Sequence, residues 1–298
     1  MSHTTGESEV EDRTTGIEIT VMTPENVPFA IEMTDNEQWG NLPDDFHRLI
    51  AFEPDGCFVA RIDEQNVGMI SSTTYDDYAF LGSLIVRSEH RGRGIGETLM
   101  RHAIDHLLDK GIKTIELDGV FAAAPLYRRL GFRDKYLSLR LNRSAHDSES
   151  EQIIATPPLP SQIDATPSEI VAYDRNRTGL NREKILSRLL DEFSDRIYTV
   201  GTSTISGYAV LRPVSDNRFA IGPVVADDAS AAELLIGLAV TDHGAHGLGI
   251  GLPVSAAGFT DVLLRLGFLY SPPSLRMYFG PRREYESHCF GILSPEKG

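Results

Sequence analysis

HRGRGIGETLM, His90 to Met100, is the stretch whose reading decides the fold. Gly92, Gly94 and Gly96 alternate with Arg91, Arg93 and Ile95. Alternating glycine weakens both strands and helices, so it marks a turn. Upstream a β-rich run ends in SLIV, Ser83 to Val86. Downstream, Ile95, Leu99, Met100, Ala103, Ile104, Leu107 and Leu108 recur at helical spacing, with Gly111 after Lys110 as a stop. The first amides of a helix have no intrahelical acceptor and lie at the positive end of its dipole, so strand, glycine turn and helix in that order can cradle a phosphate. Glycine lets the phosphate approach without a Cβ in the way, and Arg91 and Arg93 can fork onto its oxygens. Two better-known phosphate loops fail. Glu97 and Thr98 follow Gly96 where a P-loop needs Lys-Ser/Thr, and the spacing is GxGxG rather than the dinucleotide GxGxxG.

Around this turn the first half reads as a mixed α/β unit. Strands are expected at Ile17–Met22, Cys57–Ile62, Val67–Thr74, Ala79–Val86, Thr114–Leu117 and Tyr136–Leu141. Helices are expected at Glu25–Met33, Asp44–Phe52, Ile95–Lys110 and Ala124–Leu130. The second half repeats it. FVARIDEQNVGMISSTTYDDYAFLGSLIV (Phe58–Val86) matches YTVGTSTISGYAVLRPVSDNRFAIGPVVA (Tyr198–Ala226), with Gly68 facing Gly207 and Gly82 facing Gly222. RLGF occurs at Arg129–Phe132 and again at Arg265–Phe268. An offset of about 140 residues in each case indicates a duplicated unit. The expected organisation is an acidic disordered start (1–15), a first domain (16–142), a polar then proline-rich linker (143–162) and a second domain (163–298). Ile153 and Ile154 are placed as the opening of a further strand.

The turn also resembles the acyl-CoA loop of the GNAT superfamily of N-acyltransferases, Arg/Gln-x-x-Gly-x-Gly/Ala, here Arg91 to Gly96. VRSEH before it stands for Val-x-Pro-x-x, with Ser88 for proline, and PLYRRLGF (Pro125–Phe132) resembles the family's Leu-Tyr-x-x-x-Gly-Phe helix end. The resemblance covers about residues 16 to 142; more weakly, the whole chain resembles tandem members with a degenerate second domain. It implies two GNAT-like domains, each a mostly antiparallel sheet flanked by helices. It implies acetyl-CoA as co-substrate and no metal. Backbone groups of Leu84, Ile85 and Val86 would pair with the pantetheine arm. Amides of Arg91, Gly92, Arg93, Gly94, Ile95 and Gly96 would hold the pyrophosphate. Tyr127 would protonate the departing thiolate. Val120 departs from an asparagine usual there.

The chemistry also needs a base, unless the amine is bound neutral. Phe80, Leu81 and Ser83 on the glycine-bearing strand supply none, so Asp118 is the first candidate, with Glu116, Asp76 and Asp77 behind it. In the second half VVADDASAAELL carries Asp227 and Asp228 where the turn should be, and Leu263 stands opposite Tyr127. Carboxylates at a helix start cap it and repel phosphate, so this half is read as a scaffold or acceptor domain. The expected reaction is direct acetyl transfer from acetyl-CoA to a small-molecule or peptide amine. The competing reading is a non-catalytic acyl-CoA sensor.

Composition narrows the rest. The net charge is −15, and five lysines among 28 basic residues leave 23 arginines. Such an acidic, lysine-poor surface argues against nucleic acid or anionic membrane as partner and suits a protein kept soluble at high salt. No apolar run is long enough for a membrane span and the start lacks a signal-peptide pattern, so a cytoplasmic protein is expected; a homodimer stays open. Cys57 and Cys289 are too few for a cysteine-based zinc site. Cys57 reads as a small core residue, His102 and His106 as helix-boundary residues, and His243 and His246 as loop residues.

Overall fold

The computed structural model describes residues 16–145 and 162–298, so the acidic start and Ile153–Ile154 lie outside the described residues. The first half runs β1 (Glu18–Val21), α1 (Val27–Asn36), α2 (Pro43–Phe52), β2 (Phe58–Ile62), β3 (Gln65–Tyr75), β4 (Tyr78–Val86), α3 (Ile95–Asp109), β5 (Thr114–Gly119), α4 (Ala124–Arg129) and β6 (Arg133–Arg143). From α1 onward the second repeats that order as α5 (Pro167–Thr178), α6 (Glu183–Glu192), β7 (Ile197–Gly201), β8 (Ile205–Val214), β9 (Arg218–Ala226), α7 (Ala229–His243), β10 (Gly247–Pro253), α8 (Thr260–Arg265) and β11 (Leu269–Phe279), and adds β12 (Cys289–Gly291). Every helix and strand expected in the first half is present, with ends moved by a few residues.

The two halves share one mostly antiparallel sheet, ordered β1-β2-β3-β4-β5-β11-β6-β10-β9-β8-β7, with β12 on β9. Each half therefore lends its last long strand to the other. β11 lies between β5 and β6, and β6 pairs with β10. Alternation along the strands fills both faces. Phe58, Ala60, Ala79 and Leu81 pack under α3, whereas Cys57, Val59 and Met69 pack under α1 and α2. A further core joins the halves, bringing Tyr75, Tyr78 and Phe80 against Ile185, Leu189 and Tyr208.

Buried charge fixes the exchange. Arg276 on β11 is fully buried opposite Asp118 on β5 and binds both its oxygens, Nε to Oδ1 at 3.0 Å and Nη2 to Oδ2 at 2.9 Å. Its Nη1 donates to the Tyr285 hydroxyl at 2.7 Å, and Lys135 of β6 donates to Glu116 of β5 at 2.7 Å. Buried ion pairs contribute little net stability but penalise any register that leaves one partner alone.

Candidate active site

β4 and β5 run parallel only from Tyr78–Leu81 against Thr114–Leu117 and then part. Beyond that point, among the described residues, no strand pairs with Leu84, Ile85 or Val86 on the β5 side. Between Gly82 and Ile85 the β4 strand carries one residue more than β3, and Ser83 takes the bulge with φ +53°. The Ser83 hydroxyl is buried there without a hydrogen-bond partner.

The glycine turn follows. Gly92 and Gly94 adopt φ of +78° and +84°, the left-handed region, and Gly94 is the N-cap of α3. Among the described residues none of the amides from Gly92 to Gly96 donates to a protein acceptor, so the turn presents a row of free N–H groups at a helix start. Arg91 is engaged: its Nε donates to the Val86 carbonyl at 2.9 Å and its other end pairs with Glu37. Arg93 is exposed beside His90.

Tyr127 on α4 is buried against Phe132 and lines the cleft that opens from the β4–β5 split. Its hydroxyl has no hydrogen-bond partner among the described residues, and burial pushes its pKa up to about 12. The cleft measures about 880 Å³ and reaches from Ser83 across to β8, β9 and the loop bearing Trp39.

The base candidates are tied up. The Asp118 side chain is buried, and besides Arg276 it accepts from Arg140 at 3.1 Å. Despite burial those guanidinium groups hold its carboxyl below the usual value. Glu116 is bound by Lys135 and Arg276, Asp77 by Lys113 and Arg283, and Asp76 accepts from Asn181. One carboxylate missed in the sequence lines the cleft instead. Glu296, near the end of the described chain, lies against Gly82, where a Cβ would stand 2.6 Å from the Glu296 Cα. Its nearest cation is Lys297 at 4.0 Å. The segment is held by Tyr75, whose hydroxyl donates to the Lys297 carbonyl at 2.6 Å, and by Arg212, which donates to the Leu293 carbonyl at 2.7 Å.

The second half has the same split between β9 and β10, but it is filled. β12 pairs with Val224 and Val225 where β9 leaves β10, and the Ile292 amide donates to the Gly251 carbonyl at 2.7 Å. A Cβ on Gly222 would collide with the Ile292 carbonyl. Gly82 and Gly222, matched in the repeat, thus both admit the same terminal segment. At the start of α7, Asp228 accepts from the Ala231 amide at 3.0 Å and caps the helix. Asp227 binds Tyr173 and Arg177.

An acetyltransferase (GNAT) family model matches residues 27–132, and an acetyltransferase (GNAT) domain model matches residues 170–291. The chain belongs to the GNAT family of acyltransferases, in its tandem form. Holothin acyltransferase of Pseudoalteromonas sp. (strain SANK 73390) is 26% identical over 275 residues, 88% of each chain. A crystal structure from Pyrococcus horikoshii aligns over all of both chains with TM-score 0.80 at 21% identity. A tandem GNAT protein from the clavulanic acid biosynthesis pathway aligns over 90% of this chain and all of its own, with TM-score 0.64 at 16% identity. These structures share the fold of this GNAT protein. Among its described residues no helix is long and apolar enough to cross a membrane, and no group of three or more His, Cys, Asp or Glu could hold a metal.

Proposed function

We propose that this acyltransferase moves an acetyl group from acetyl-CoA to a primary amine of a small molecule or peptide, by direct attack in a ternary complex, and that only its first half holds the donor. The carrying observation is the meeting in one place of a split sheet, a row of unpaired amides and the Tyr127 hydroxyl. The amides of Gly92 to Gly96 suit the pyrophosphate, the unpaired edge of Leu84 to Val86 suits the pantetheine arm, and the thioester would then reach Ser83 and Tyr127. The amine nitrogen attacks the thioester carbon; the C–N bond forms and the C–S bond breaks. The buried Ser83 hydroxyl is free to donate to the oxygen that gains charge. The leaving thiolate takes the Tyr127 proton, and the tyrosinate takes the second proton that the nitrogen sheds as the amide forms. The proton lost by the ammonium goes to Glu296, since each of the other cleft-side carboxylates named above is already bound. Asp118 then acts as the anchor of Arg276 and Arg140. Arg91 acts by tying the turn to Val86 and Glu37.

Two features support one donor site per chain: β12 stands where a pantetheine arm would lie in the second half, and Asp228 takes the helix-start amide that a phosphate would need. Titration calorimetry should give one acetyl-CoA per chain, and Gly94→Val, forced into φ +84°, should abolish it. Two sites, or unchanged binding in the folded variant, would refute the assignment. Release of thiol from acetyl-CoA with any amine marks an enzyme; binding without release marks a sensor.

A further inference from the structure

We infer that the acceptor amine carries an oxyanion, a carboxylate or a phosphate, and that Arg218 together with Arg212 receives it. This rests on the cleft being the acceptor site. Val214 pairs with Arg218 and Arg212 with Ala220 across β8 and β9, so all four side chains share one sheet face, and all four line the cleft.

Neither arginine has a carboxylate within ion-pair distance among the described residues. Arg218 is half-buried, its Nε is buried without a partner, and among the described residues no hydrogen bond or ion pair holds its guanidinium. Arg212 is 8% exposed and donates only to carbonyls, of Gly222 at 3.2 Å and Leu293 at 2.7 Å. Asp45 and Glu296 act on it from beyond contact. Of the other cleft charges, Glu37 pairs with Arg91, Asp45 with Arg48 at 2.7 Å and Asp118 with Arg276 and Arg140, while Glu296 stands 4.0 Å from Lys297.

Holding a cation out of water without a partner is costly. This chain has 43 acidic residues against 28 basic ones, so a missing counter-ion here is not a shortage of carboxylates. The cation pair begins beside the reacting end, because Arg212 grips the segment three residues before Glu296. It continues along β9 to Arg218. An acceptor with its amine at Glu296 and its anion on the arginines fits that layout.

Trp39, the chain's only tryptophan, lines the same cleft and reports on its occupancy. Its fluorescence is titrated, in full-length protein saturated with CoA, with three matched pairs of amines. These are γ-aminobutyrate against n-butylamine, glycylglycine against glycylglycinamide, and O-phosphoethanolamine against ethanolamine. A charge-assisted contact is worth roughly 1.5–3 kcal/mol, so the anionic member should bind about tenfold to a hundredfold tighter. The favoured pair tells carboxylate from phosphate. Arg218→Gln keeps the stem that packs on Gly247, where a Cβ would lie 2.7 Å from the Arg218 Cγ, and should erase the preference. Arg218→Lys should keep most of it. Equal or absent binding of both members of every pair, or a preference that survives in Arg218→Gln, would overturn the inference. An intact preference with no acetyl transfer to any amine would support the subsite and refute the transferase reading.

Discussion

Tyr127 and Glu296 illustrate how differently two residues of one site announce themselves. Tyr127 is legible because the helix end around it is a local pattern, PLYRRLGF, within one stretch of chain. Glu296 is not legible, because it reaches Gly82 from the opposite end of the sequence and only the folded path of the terminal segment joins them. Asp118 looks free in the sequence for the same reason in reverse: an arginine that binds it arrives from 158 positions downstream. On the proposed chemistry, Tyr127→Phe removes the proton donor but keeps the ring, and positioned acid catalysis is worth about 10²–10⁴ in rate. Its kcat should fall by that order while acetyl-CoA affinity holds; a fall under threefold would assign the proton to water. Glu296→Gln should slow turnover near neutral pH by a similar factor and recover as pH rises and the free amine becomes neutral. A deficit independent of pH would make Glu296 a packing residue.

At the scale of elements, α3 and its glycine turn are fully readable, because a 3.6-residue stripe and a turn are properties of consecutive residues. The exchange of β6 and β11 is not, since alternation tells which face a strand buries but never which strand lies beside it. Arg276 and Asp118 carry that missing information as charge. Removing one member of a buried pair typically costs about 3–5 kcal/mol, so Asp118→Asn should destabilise the fold by that order at pH 7. The pH dependence follows from sign. The folded carboxyl titrates below its ordinary 3.8, so its contribution is complete above that value and is lost as pH falls through the lower, folded one. Denaturant midpoints of wild type and Asp118→Asn should therefore stay separated down to about pH 4 and converge below it. A gap that persists unchanged into acid would mean that Arg276 does not depend on the charge of Asp118.

Across the whole molecule the ion pairs are local answers to a global excess of acid. Arginines such as Arg276, Arg182 and Arg48 are buried against carboxylates, while the net charge of −15 is left for the surface. Exposed like charges repel over a Debye length of about 10 Å at 0.1 M salt and about 3 Å at 1 M, whereas buried pairs are screened far less. Added salt therefore removes mainly the destabilising term and leaves the stabilising one. The fold should gain thermal stability continuously from low salt to molar potassium chloride, and the Asp118–Arg276 contribution should change little over the same range. Melting curves of wild type and Asp118→Asn across a potassium chloride series test both halves of the statement. Rising midpoints with a constant separation are expected. Midpoints that are flat or fall with salt would show that the surface acidity is not a liability relieved by screening. A separation that shrinks with salt would place the Asp118 pair within reach of solvent ions, against the burial of both its side chains between β5 and β11.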